Sequence, residues 1–204
     1  MGQPQSRGDK VNVLIGCECS GIVREAFRRK GHQTYSCDLQ PADDNSPYHF
    51  QCSIFDVINN GWDLMIAHPP CTYLTVAGAR WFDDPRYPNR REDQQKALKF
   101  FVDLYNAPIK KIALENPVGV ISTMFRKPDQ SIQPYMFGHN AVKKTCLWLK
   151  NLPLLIEKYY EITNEADPYF INNAFLTIHN KAERSKLRSK TFTNIALAMA
   201  DQWG

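Results

Sequence analysis

Short apolar runs alternate with amphipathic, helix-length segments along most of the chain. Val11 to Gly16 is an apolar run ending in a small-residue turn, the pattern of a buried parallel strand. After Ser20 or Gly21, Ile22, Val23, Ala26 and Phe27 fall at helical spacing, Arg24, Glu25, Arg28 and Arg29 take the opposite face, and Gly31 closes the segment. Gln33 to Cys37 reads as a second strand with Asp38 at its carboxyl end. Such a strand–turn–helix–strand unit predicts a right-handed crossover and a parallel sheet. The alternation continues. Asp63 to Ala67 is a strand running into His68-Pro69-Pro70-Cys71, and Asp83 to Arg91 is a charged, proline-containing exposed loop. Arg91 to Tyr105 is a helix burying Ala97, Phe100, Phe101 and Leu104, and Lys111 to Leu114 a strand ending in Glu115-Asn116-Pro117. Cys146 to Leu149 reads as a further strand and Phe192 to Trp203 as a terminal helix.

The pattern predicts an α/β fold, a mostly parallel sheet with helices on both faces. With 204 residues and neither repeat nor linker, one domain over 11–204 is expected, after a polar, disordered leader over 1–10. Apolar residues make up 43% and charged residues 23%, which excludes disordered and fibrous classes. The net charge of +4 suits a polyanionic partner without requiring one. No apolar run approaches the roughly 18 to 20 residues that span a bilayer, so no membrane association is expected. Gly2 and Ser6 fit the loose myristoylation pattern, but nothing nearby supplies the second signal that stable anchoring needs. Six cysteines at irregular spacing, with no secretory signal, point to reduced thiols in a cytoplasm. No second Cys or His pair follows Cys17-Glu18-Cys19 at zinc-finger spacing, so no metal site is expected.

In open parallel sheets, ligands bind beyond the carboxyl ends of the strands. Four unusual clusters fall there: the Gly16 to Gly21 turn, Asp38, Pro69-Pro70-Cys71 and Glu115-Asn116. The turn permits close backbone approach at a helix N-terminus but lacks the spacing of the dinucleotide and phosphate-binding loops. Asp38 lies where a carboxylate accepts ribose hydroxyls, which favours a small nucleoside-bearing cofactor over ATP. Two prolines stiffen the loop that presents Cys71, making this thiol a candidate nucleophile. Glu115 is placed to hydrogen-bond a pyrimidine edge and help protonate N3 as the thiol attacks.

The order of these clusters resembles the cytosine-C5 DNA methyltransferases. Val13 to Gly21 resembles their cofactor-binding first motif, Ala67-His68-Pro69-Pro70-Cys71-Thr72 their catalytic Pro-Cys loop, Leu114-Glu115-Asn116-Pro117 their Glu-Asn motif, and Thr193 to Trp203 their last motif. The resemblance runs from about Val11 to Gly204 and is closest to short phage and bacterial forms, which places the protein in a host cytoplasm if phage-encoded. It implies a class I methyltransferase (Rossmann-like) fold, S-adenosylmethionine as cofactor, and DNA or a pyrimidine nucleotide as partner. Cys71 and Glu115 would be catalytic. Cofactor contacts would fall on Gly16, Cys17, Glu18, Ser20, Gly21, Asp38, Pro69 and Asn194, and substrate contacts on Thr72, Asn116, Arg80 and Lys144. Arg86, Arg90 and Arg91, with Arg80, would hold phosphates beside the pocket.

The chain also departs from the family. Thr72 stands where Gln usually follows the catalytic Cys, Ser53 or Asp56 stands for the acid after the third strand, and Lys143-Lys144-Thr145 for the arginine motif. Only 151–188 is free for a target-recognition domain, a short insertion in its place. Other readings stay open: a methyltransferase-fold protein that binds nucleotide or nucleic acid without catalysis, and an enzyme modifying free pyrimidine nucleotides. An amino methyltransferase would place an aromatic residue where Cys71 stands, and a zinc deaminase needs a second Cys where Leu74 stands. His139 and His179 are expected to pack or lie at the surface.

Overall fold

The computed structural model of the chain describes residues 10–76, 81–82, 84–160, 180 and 186–204. Most of the leader, Arg80, His179 and much of the 151–188 insertion lie outside the described residues. In chain order the elements are β1 (Asn12–Gly16), α1 (Ile22–Arg29), β2 (Gln33–Asp38), β3 (His49–Gln51), α2 (Ile54–Val57), β4 (Leu64–Ala67), α3 (Arg90–Tyr105), β5 (Lys111–Pro117), α4 (Ile121–Met124), β6 (Gln130–Ile132), a 3-10 turn (Pro134–Phe137), β7 (Thr145–Lys150) and α5 (Thr193–Trp203).

The seven strands form one sheet in the order β3-β2-β1-β4-β5-β7-β6. The pairs from β3 to β5 are parallel, and β7 runs antiparallel to both β5 and β6. The central strands are apolar without interruption because they are covered on both faces: Val13, Leu14 and Ile15 are fully buried. Val13, Ile15, Leu64 and Ile66 face α1 and α5, which contribute Val23, Phe27, Ile195, Met199 and Trp203. Leu14, Met65, Ile112 and Leu114 face the other way, onto Phe101 and Leu104 of α3 and onto Trp148.

Two features of this topology position the site. The chain runs from β1 outward to β2 on one side, and β4 lies on the other, so a crevice opens where β1 and β4 end. β5 also continues three residues past the expected end at Leu114. Glu115, Asn116 and Pro117 pair with Leu147, Cys146 and Thr145 of β7. The Glu-Asn motif is therefore not a loop but a stretch of strand, overhanging the end of β4 and held in place by β7.

Candidate active site

The register sets the site. Gly16 pairs with Cys37 and with Ala67, and Ala67 pairs with Leu114, so these four residues form the last row across the parallel strands. The next residue on each chain segment is Cys17, Asp38, His68 and Glu115. Side chains alternate along strands. His68 thus follows Ile66 onto the α1 side of the sheet, and Glu115 follows Ala113 there. His68 Nδ1 and Glu115 Oε2 meet at 2.8 Å. On the opposite face Asn116 Nδ2 donates to Pro69 O at 2.8 Å.

The Pro-Cys loop is fixed again further on. The N–H groups of Leu74 and Thr75 donate to Cys71 O at 3.0 and 3.1 Å, closing a turn around the cysteine. Val120 N donates to Leu74 O at 2.8 Å, and Thr75 bridges Gly119. Gly119 is required at this crossing because a Cβ there would lie 1.9 Å from Leu74 O.

Cys71 is half-buried, so its sulfur is neither sealed in the core nor fully in water. Burial and the Glu115 carboxylate push its thiol above the ordinary range, against the pull of Lys143 and Arg188. Burial opposes the charge on both His68 and Glu115. Their mutual hydrogen bond and charge outweigh it, holding His68 above and Glu115 below its usual range. Cys71, Glu115, His68 and Lys143 thus act on one another across one edge. Two polar atoms beside this pair, His68 Nε2 and Asn116 Oδ1, are buried without a hydrogen-bond partner.

The first turn is built differently from expectation. Cys17 and Gly21 both have left-handed backbones, with φ of 56° and 72°. Gly21 occupies the N-cap of α1 and has no side chain with which to cap it. Glu18 reaches back and does so instead: its carboxylate, only 5% exposed, accepts from Val23 N at 2.8 Å and Arg24 N at 3.3 Å. Ser20 Oγ donates to Glu18 Oε1 at 3.1 Å. The side chains of Glu18 and Ser20, expected at the cofactor, are thus engaged inside the turn. Asp38 stands free at the end of β2; Oδ1 accepts from Gln40 N at 2.9 Å, and Oδ2 accepts no hydrogen bond among the described residues. Burial and the Asp38 charge push the Cys17 thiol up to about 12, which makes it a poor nucleophile.

Other expected site residues fall elsewhere. Lys144 is exposed, whereas half-buried Lys143 bears on Cys71, His68 and Glu115. Its Nζ also donates to Arg188 O at 2.9 Å. Asn194 is buried and staples α5 down: Nδ2 donates to Phe137 O at 2.6 Å and its N–H to His139 Nε2 at 3.1 Å. His139 is accordingly a packing residue. Arg90 is buried rather than displayed to a phosphate, and Arg86 is tied to Asp84 at 2.6 Å. Ser53 caps α2 in a reciprocal box with Asp56. From sequence, His68 stands only as part of the Pro-Cys loop and Lys143 only within Lys143-Lys144-Thr145, neither with a role of its own. The signal for His68 is its place next to the strand end, and for Lys143 its place just before β7. Leu39, 71% exposed directly after Asp38, is a third residue of the edge.

In sequence, the chain matches no protein-family model and no curated protein. In structure it is similar to the Entamoeba histolytica methyltransferase EhMeth, with a TM-score of 0.50 and 16% identity, over 74% of this chain and 57% of that one. WbdD, solved with the kinase inhibitor LY294002, aligns at a TM-score of 0.35 and 15% identity over 78% of this chain and 41% of its own. Among the described residues no helix is long and apolar enough to cross a membrane. The sheet order, the reversed β7 and the likeness to EhMeth together give the chain a Rossmann-like methyltransferase fold.

Proposed function

We propose that the protein transfers a methyl group from S-adenosylmethionine to C5 of cytosine in DNA, through a covalent adduct on Cys71. The observation that carries this reading is the His68–Glu115 pair, bonded at 2.8 Å beyond the end of β4, with Cys71 three residues after His68 and within electrostatic reach of Glu115. A nucleophilic sulfur beside a carboxyl group that can trade a proton suits attack on a pyrimidine ring, where charge develops at N3.

The crevice between β1 and β4 fits this cofactor by the chemistry of its groups. The N-terminus of α1, usually an anion site, already holds the Glu18 carboxylate, so it disfavours a phosphate. A nucleoside without phosphates and with a positive charge suits the carboxylate of Asp38 at the mouth of the crevice. Asp38 would hold the ribose hydroxyls, Leu39 would cover the adenine face, and the Cys17 to Gly21 backbone would line the rest. Bound there, S-adenosylmethionine supplies an electrophilic methyl group.

Cys71, as thiolate, forms a bond to C6 and the C5=C6 electron pair shifts into the ring. The proton shared by His68 and Glu115 meets the charge at N3, and C5 becomes nucleophilic. After C5 is methylated, a base takes the C5 proton, the C5=C6 bond reforms as the Cys71 sulfur leaves with its electron pair, and N3 returns its proton to the His68–Glu115 pair. The target base must leave the stack for C6 to be reached.

Tritiated S-adenosylmethionine offered with duplex DNA, single-stranded DNA or free cytidine nucleotides tests the proposal. Label in C5-methylcytosine is expected for DNA, together with a covalent adduct on 5-fluorocytosine DNA that is absent in Cys71→Ala. Cofactor binding without label in any pyrimidine would sink it.

A further inference from the structure

The proposed reaction leaves unassigned a cleft beside the Cys71 loop, a cavity of about 210 Å³ lined by Tyr73, Tyr87, Pro88, Asn89, Arg90 and Asp93. One wall belongs to the loop itself, since Tyr73 lies two residues beyond the nucleophile. The other is the turn into α3. Gln94 Nε2 donates to Tyr73 O at 3.0 Å and Arg90 Nη2 to Thr72 O at 3.4 Å, so cleft and loop are fixed to one another.

Arg90 is the unusual member. It is 8% exposed, with its guanidinium carbon 5.2 Å from the Tyr73 ring centre, 5.5 Å from that of Phe82 and 5.9 Å from that of Tyr87. Its Nε is buried with no hydrogen-bond partner. A buried cationic donor left without an acceptor is costly unless a ligand meets it. Asp93 places an acceptor on the same cleft. Tyr87 is 46% exposed; Trp81 braces its ring edge-on at 6.0 Å, and the Arg86 guanidinium lies 5.9 Å from its centre.

Aromatic walls with a donor and an acceptor between them describe a seat for a single nucleobase. Among the bases, guanine offers acceptors at O6 and N7 for an arginine, together with an amino donor for a carboxylate. We propose that this cleft binds the guanine next to the target cytosine, in DNA whose bases are unstacked. The proposal rests on the cytosine reading above, which supplies the neighbouring target. It also assigns part of target recognition to the Cys71 loop and the start of α3.

The test uses labelled single-stranded oligonucleotides carrying one cytosine whose neighbours are guanine, adenine or abasic sites. Anisotropy should show guanine neighbours binding about tenfold more tightly than abasic ones. Tyr87→Ala, a change at an exposed side chain, should abolish that preference, and Tyr87→Phe should keep it. Asp93→Asn should narrow the gap between guanine and adenine. Equal binding of guanine and abasic strands by the wild type overturns the proposal, as does a preference that survives Tyr87→Ala. Methyl incorporation measured on the same strands separates the two readings. Guanine-dependent binding without any methylation supports the cleft while removing the cytosine reading. Methylation indifferent to the neighbour removes the cleft and leaves that reading intact.

Discussion

The side-chain amide of Asn116 spans from β5 to the carbonyl oxygen of Pro69, a 2.8 Å bond that holds the Glu-Asn strand against the loop carrying Cys71. Asn116 is 1% exposed, so losing its amide leaves a buried carbonyl unpaired. Asn116→Ala is expected to destabilise the fold by about 2 kcal/mol in urea unfolding. Methyl transfer should fall further than the loss of folded protein explains, because Cys71 and Glu115 then drift apart.

The Cys71 thiol should titrate according to its neighbours. Its thiolate fraction grows as pH rises, so alkylation by iodoacetamide, followed at the Cys71 peptide by mass spectrometry, should accelerate toward alkaline pH. Glu115→Gln removes a repelling charge and should speed alkylation near neutrality by about tenfold. Lys143→Met should slow it. Rates unchanged in both variants would mean that neither charge reaches the sulfur.

Stability should report the His68–Glu115 pair through pH. His68 is raised, so its contribution is full below the ordinary imidazole range and is lost as pH climbs through its folded value. Glu115 is lowered, so its contribution is full above the ordinary carboxyl range and fades as pH falls through its folded value. The pair therefore stabilises most between about pH 4.5 and 6.5. His68→Asn should cost about 3 kcal/mol inside that window and progressively less on the alkaline side. A variant whose deficit does not change with pH would show that the pair is not ionised.

Glu18 and Asp38 should separate cleanly. Glu18→Ala removes the cap of α1 and is expected to cost about 1–2 kcal/mol of stability, with Glu18→Gln milder. Asp38→Ala should leave the unfolding midpoint almost unmoved and weaken S-adenosylmethionine binding by about tenfold or more, read by calorimetry. The opposite assignment would exchange the two effects.

What the sequence disclosed, and what it withheld, follows from how local each signal is. The buried runs at β1, β4 and β5 are apolar on both faces, so they and the residues at their ends could be read directly. β3 and β6 have three residues each and α2 and α4 four, too short for periodicity to accumulate. The meeting of His68 with Glu115 depends on a register between strands distant in sequence, and the extension of β5 depends on its antiparallel partner. Glu18 looked like a ligand group because a cap normally comes from the N-cap position, which here is a glycine. Which lysine of Lys143-Lys144 turns toward the site depends on how the chain enters β7, which the two identical side chains do not reveal. Arg90 looked solvated because the rings that bury it come from both sides of the turn.

Gly119 packed against Leu74 has a mechanical consequence. With backbone on backbone there, the segment that carries Cys71 cannot swing as an independent flap. Any closing motion must hinge beyond Thr75 or carry the end of β5 with it. The turn around Cys71 and the end of β5 therefore travel together, coupled through Leu74, Gly119 and Val120.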